Sequence, residues 1–261
     1  MAVNLDFKFT NSSDKAISET GWIVWSIQTV DTLAGNDTVS GKGDDTGINI
    51  NGGTINTDAG KDKIIGIGYT RGISNYGTIN TGDGNDRIIG IGDIGILVDT
   101  EYAGTINTGA GNDKIIGIGG ISNKGFINTG IGNDTITAKS GGINNEGIID
   151  TGAGDDTINS LKGGFFSSGG KIILGSGNDT LKGYEWYTGT GFGACKYYGG
   201  TGKDKILFGK GTYNINGASI TSGYSTMKVY EFEQIGGASG GLFTFRDGTL
   251  TVDSAGVGTF A

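Results

Sequence analysis

An aspartate preceded two places earlier by glycine and followed two places later by an aliphatic residue recurs eight times along this 261-residue chain. No other feature restricts its folding as strongly. The aspartates are Asp37, Asp62, Asp86, Asp113, Asp134, Asp156, Asp179 and Asp204, spaced 21 to 27 residues apart. Gly35, Gly60, Gly84, Gly111, Gly132, Gly154, Gly177 and Gly202 precede them, and Val39, Ile64, Ile88, Ile115, Ile136, Ile158, Leu181 and Ile206 follow. A second register stands seven places before the aspartate: Ile55, Ile79, Ile106, Ile127, Ile149 and Ile172, with Tyr197 in the last unit. It continues as Asn56, Asn80, Asn107, Asn128 and Asp150, then Thr57, Thr81, Thr108, Thr129 and Thr151. Between these registers lies GISN at 72–75 and 120–123 and GINN at 142–145. A unit this short cannot bury its isoleucines alone, so neighbouring units must stack them into one continuous core. The expected fold is all-β: a single-stack parallel β-solenoid (β-roll or β-helix-like) of about seven coils. Strands in successive coils then lie about 4.8 Å apart, like residue upon like.

The boundaries follow from where the repeat begins and fades. Residues 1–30 are expected to form an N-terminal cap, 31–208 the solenoid, and 209–261 a C-terminal β cap. Length variation belongs in loops that leave the column, such as DIGILVDTEYAG at 93–104. The 55 glycines, with no proline, suit corners that need left-handed or cramped backbone. The net charge of −8 and pI near 4.5 argue against nucleic acid as a partner. The absence of histidine removes Ser-His and Cys-His catalysis and His-ligated zinc. The lone Cys195 has no partner for an internal disulfide and reads as a packing residue. No basic-then-apolar leader and no apolar window of about 18 residues occurs, so neither a cleavable signal nor a transmembrane segment is expected.

If like stacks on like, the aspartates form a column as well. Two carboxylates about 5 Å apart repel by roughly 1 kcal/mol in water and about 3 kcal/mol at an effective dielectric of 20. Such a column needs either solvent or a cation. Calcium takes six to eight oxygens and accepts carboxylates and backbone carbonyls together. The eight aspartates are therefore expected to be calcium ligands. Carbonyls of the corner glycines would complete the shell: Gly60, Gly82, Gly84, Gly109, Gly111, Gly130, Gly132, Gly152, Gly154, Gly175, Gly177, Gly200 and Gly202. Eight loops define at most seven inter-loop sites. Tight Asx turns without metal are the competing explanation.

The phrases TGDGNDRII (81–89), TGAGNDKII (108–116), TGIGNDTIT (129–137), TGAGDDTIN (151–159) and LGSGNDTLK (174–182) resemble the calcium-binding repeats of RTX (hemolysin-type) proteins, whose pattern is Gly-Gly-x-Gly-x-Asp-x-aliphatic-x. The resemblance covers residues 32–208. It implies a parallel roll with calcium held between loops of successive turns. Family arrays repeat every nine residues with loops on both sides. Here the motif comes once per coil, which leaves a GISN-type turn opposite it and only Gly41-Lys42-Gly43-Asp44-Asp45 as a hint of a second loop. The glycine four places before the aspartate is replaced by Leu33 and Asp58 in the first two units. Lys61 and Lys203 precede their aspartates and must point outward to leave a site intact.

The resemblance further implies a secreted protein that folds on calcium outside the cell, exported by type I secretion machinery that reads an uncleaved C-terminal segment. The tail DGTLTVDSAGVGTFA is small-residue-rich and suits either that signal or a final β-hairpin. The expected role is structural or at the cell surface, with extracellular polysaccharide or the cell surface as the partner and no catalysis. Two alternatives stay open. An ice-binding or adhesive surface would present the Thr57-to-Thr151 column outward. A polysaccharide-acting protein would use Tyr184, Glu185, Trp186, Tyr187, Tyr197 and Tyr198 as a platform, unless these simply pack against the C-terminal cap.

Overall fold

The computed structural model describes residues 9–25, 28–101, 103–167, 169–185 and 195–261. The chain is all-β, a stack of parallel coils in which three sheets share one interior. The first sheet contains Thr38–Lys42, Lys63–Ile67, Arg87–Ile91, Lys114–Gly117, Thr135–Ala138, Thr157–Asn159, Thr180–Lys182 and Lys205–Phe208. The second contains Thr46–Asn51, Arg71–Asn75, Ile94–Val98, Ile121–Asn123, Ile143–Asn145 and Phe165–Ser167. The third contains Thr54–Asn56, Thr78–Asn80, Thr105–Asn107, Phe126–Asn128, Ile148–Asp150, Lys171–Gly177 and Lys196–Gly202. With Trp22–Trp25 the second sheet has seven strands among the described residues, so seven coils carry all three faces.

Register fixes the core. On the first sheet Ala16, Val39, Ile64, Ile88, Ile115, Ile136, Ile158, Leu181, Ile206 and Ile235 pair one upon another. All of them are fully buried. The third sheet stacks Ile55, Ile79, Ile106, Ile127, Ile149, Ile172 and Tyr197 in the same way, again with no exposure. Burying an isoleucine contributes roughly 1.5–3 kcal/mol, so the columns are the main stabilising element. A one-residue slip would turn every one of these side chains to solvent, and this makes the register unambiguous.

Three expectations need correction. The GISN segments are strands of a full second sheet, not turns, because coils of this length hold three short strands rather than two. Within 93–104, Ile94–Val98 is such a strand, pairing with Arg71–Asn75 and Ile121–Asn123, and only the chain after it leaves the column. The solenoid also begins earlier than residue 31. Lys15–Ser18, Trp22–Trp25 and Thr29–Asp31 pair in parallel with Thr38–Lys42, Thr46–Asn51 and Thr54–Asn56. The described strands of the segment expected as a cap thus form a coil of the stack.

At the other end parallel stacking persists on two faces through Ser225–Tyr230 and Gln234–Gly237. Antiparallel strands Ser219–Ser222, Gly211–Asn216, Gly248–Val252 and Gly258–Phe260 then extend the third sheet. The tail is thus a paired hairpin with Leu250 buried. Tyr184 packs against Phe208 and Tyr213, ring centroids 5.9 and 5.2 Å away. Tyr197 is fully buried. Neither ring can serve the proposed sugar platform, and Trp186 and Tyr187 lie outside the described residues. No helix among the described residues is long and apolar enough to cross a membrane.

Candidate metal centre at the aspartate corner

The eight repeated aspartates all stand at the corner between the third and first sheets, turned inward, with 0–2% of their surface exposed. Why the loop is rich in glycine is a matter of clearance. A Cβ on Gly111 would lie 1.3 Å from the Gly84 carbonyl oxygen, and one on Gly84 would lie 1.4 Å from that of Gly60. Coils therefore touch backbone to backbone at this glycine, and φ there is positive as well (157° at Gly84, 137° at Gly111). The middle loop residues continue the contact as parallel bridges, Asp83 to Ala110 to Ile131 to Ala153 to Ser176.

Two side-chain ladders replace the backbone ladder at the corner. Each aspartate Oδ1 accepts the amide N–H of the aspartate one coil earlier, as in Asp62 N–H to Asp86 Oδ1 at 2.8 Å and Asp86 N–H to Asp113 Oδ1 at 2.7 Å. The same bond joins Asp37 to Asp62, Asp113 to Asp134, Asp134 to Asp156, Asp156 to Asp179 and Asp179 to Asp204. The residue just before the aspartate runs the opposite way. Asn85 Oδ1 accepts from Asn112 N–H, Asn112 from Asn133, and Asn133 from Asp155, each at 2.7 Å. Both amides that face the corner thus find an acceptor, which satisfies buried backbone at a point where strands end. Lys61 and Lys203 in this outer column are exposed.

The threonine column turns inward too. Thr57, Thr81, Thr108, Thr129 and Thr151 are fully buried, and each hydroxyl donates to the main-chain carbonyl one coil on, at 2.8–3.3 Å. It cannot form an outward ice-binding face. The outer Asn column is a partial ladder, with Asn107 Nδ2 donating to Asn80 Oδ1 at 3.1 Å.

What remains is the other carboxylate oxygen. Oδ2 of all eight aspartates is buried without a hydrogen-bond partner. A threonine hydroxyl stands beside most of them and draws the acid's pKa down, yet its single proton is directed to the next coil's carbonyl. Desolvation outweighs that help. It pushes Asp86 and Asp156 up to about 7, and Asp62, Asp134 and Asp179 up to about 6, with the neighbouring aspartates adding to the rise. Burial raises Asp113 and Asp204 as well. A row of half-satisfied carboxylates at neutral pH demands protons or a cation.

Family models, curated proteins and solved structures yield no match to this chain.

The donor set can be judged on its own chemistry. It consists only of carboxylate, hydroxyl and carbonyl oxygens, which suits a hard cation such as calcium and not a metal that seeks thiolate or imidazole. Among the described residues no three acidic, cysteine or histidine side chains converge on one point. The carboxylates instead come singly, one per coil. Since Oδ1 accepts an amide from the preceding coil, Oδ2 is the oxygen each aspartate has left to offer a cation. The glycines of the corner are placed where expected, with their first structural task being close approach. The amide ladders were not anticipated from the motif, although the alternation of Asn and Asp at adjacent positions is their signature.

Proposed function

We propose that this protein is a calcium-stabilised structural solenoid that works outside the cell, where calcium is abundant. The observation that supports this reading is the row of eight buried Oδ2 atoms without partners. A cation between coils would draw one Oδ2 from each of two successive aspartates among Asp37, Asp62, Asp86, Asp113, Asp134, Asp156, Asp179 and Asp204. Carbonyls of the corner or the threonine hydroxyls would supply the neutral oxygens. Calcium, when bound, supplies charge compensation and cross-links adjacent coils. The residues themselves orient the oxygens and exclude water. Because ligand oxygens gather only when coils stack, binding free energy becomes folding free energy. A low-calcium cytosol then disfavours folding, and an exterior of higher calcium favours it.

Calcium titration of chelator-treated protein at pH 8, followed by circular dichroism and thermal melting with metal counted per chain, tests the proposal. A rise in melting temperature that saturates with several bound ions is expected. An unchanged melting temperature with no retained calcium sinks it.

A further inference from the structure

The outer face of the third sheet, beside the last aspartates of the corner, carries a second arrangement. Strand pairing sets Lys171 beside Lys196 and Lys196 beside Lys228. In the neighbouring outward column it sets Ile173 beside Tyr198 and Tyr198 beside Tyr230. Lys171 and Lys196 are exposed. The Lys171 Nζ lies 4.7 Å from the Tyr198 ring centroid, and the Tyr198 and Tyr230 rings stack at 5.0 Å with 18° between planes. Beside Tyr230 opens a groove of about 410 Å³, walled by Tyr198, Tyr230, Phe245, Phe232 and the Gly217–Ala218 backbone. Glu231, at the groove's rim, is held at φ 61°, a left-handed conformation unusual for this residue.

The ring stack and the Lys171 contact stabilise this face, but the lysine register does not. Like charges directly opposite on neighbouring strands are destabilising. The chain is acidic, with 27 carboxylates against 19 cations, yet the one ion pair among the described residues joins Lys124 to Asp99 elsewhere. Lys228 Nζ donates to Ser219 Oγ, while the exposed Lys171 and Lys196, in register with it beside two tyrosines, have no carboxylate partner among the described residues and ask for an anion outside the protein.

We infer that Lys171, Lys196, Lys228, Tyr198 and Tyr230 form a binding site for an acidic polysaccharide. The lysines repeat once per coil, about 4.8 Å, and a linked hexuronate chain presents one carboxylate per ring at a similar repeat. Such a chain would lie along the solenoid axis, with each carboxylate meeting one ammonium. The Tyr198 ring is covered on one side by Lys171 and on the other by Tyr230, so no slot opens for a nucleic-acid base. The rings instead offer edges and phenol hydroxyls to sugar hydroxyls, and the groove receives a ring against Tyr230. None of its lysines or tyrosines is among the residues proposed to hold calcium.

The test uses the full chain and oligogalacturonate, with its methyl ester, oligothymidylate and phosphatidylserine vesicles as competitors, read by calorimetry. Lys63, Arg87 and Lys114 form an equally exposed register of cations on the first sheet. They provide a control for bulk charge. The wild type should bind oligogalacturonate in preference to the other three. K171S/K196S/K228S and Y198A/Y230A should each lose at least tenfold in affinity, while K63S/R87S/K114S stays within about twofold and all variants melt as the wild type does. No binding of oligogalacturonate overturns the inference. So does an equal loss in the first-sheet control, or tighter binding to the vesicles or to oligothymidylate.

Discussion

Replacing Asp86 by asparagine separates the two tasks of that side chain. Asparagine keeps an Oδ1 to accept the Asp62 amide, now at 2.8 Å from the aspartate. It removes the charge and puts an NH₂ where Oδ2 stands without a partner. Lifting the carboxyl from 3.8 to about 7 penalises the ionised folded state by about 4 kcal/mol, at about 1.4 kcal/mol per pH unit. That is a ceiling, because neighbouring aspartates share the repulsion. The new amide also needs an acceptor, available at the Thr81 hydroxyl. A net gain of about 1–3 kcal/mol is expected for D86N at pH 8 in chelator. At about 2–4 °C per kcal/mol this moves the melting temperature upward by several degrees. At pH 4.5 the wild-type carboxyl is protonated in the folded state and the gain should vanish. In saturating calcium at pH 8 the order should reverse, because the variant lacks an anionic ligand. Thermal melts of both proteins under the three conditions decide it. A D86N variant equally destabilised in chelator at pH 8 and pH 4.5 would refute the reasoning, since charge would then not be the penalty.

Other consequences are open to measurement. In chelator, carboxyls at about 6 to 7 folded and 3.8 unfolded hold protons that the unfolded chain has lost, so stability should fall as pH rises from about 4 to about 7 and level off above; urea midpoints across that range check it. T129V removes a buried hydroxyl that donates to the Thr151 carbonyl and flanks Asp134. It should destabilise by about 1–2 kcal/mol and shift the alkaline end of that decline upward. G111A places a methyl on the Gly84 carbonyl and should abolish cooperative melting or cost several kcal/mol, whereas G217A, with positive φ but nothing within 4 Å, should cost about 1 kcal/mol.

Much of the fold was legible because a stacked column repeats its residue in the sequence. Ile64, Ile88 and Ile115 announce a shared face by period alone, and Asp62, Asp86 and Asp113 a shared corner. The third face was harder to see. The GISN segments are short and glycine-bearing, so they read as turns until pairing shows Ile73, Ile96 and Ile121 in one column. The first coil carries no Gly-x-Asp signature, only Ser13 and Asp14 in equivalent places, which engage Asn36 and Asp37. The Ile172–Tyr197 register already implies Lys171 beside Lys196, but the places of Lys228 and Tyr230 were out of reach. The hairpin at 211–222 separates Lys196 from Lys228 in the chain, and only strand pairing restores their neighbourhood.

The aspartate ladder also has a terminus. The Asp204 amide, which would otherwise meet the next coil's aspartate, donates to Glu233 Oε2 at 2.7 Å. Glu233, just ahead of Gln234–Gly237, thereby stands in for the aspartate of the next coil, its longer side chain reaching the same amide. Length in this molecule is consequently a heritable variable, decoupled from architecture. A gene that duplicates or drops one internal unit alters how tall the stack stands while leaving every junction chemically familiar, provided the impostor carboxylate still sits on top.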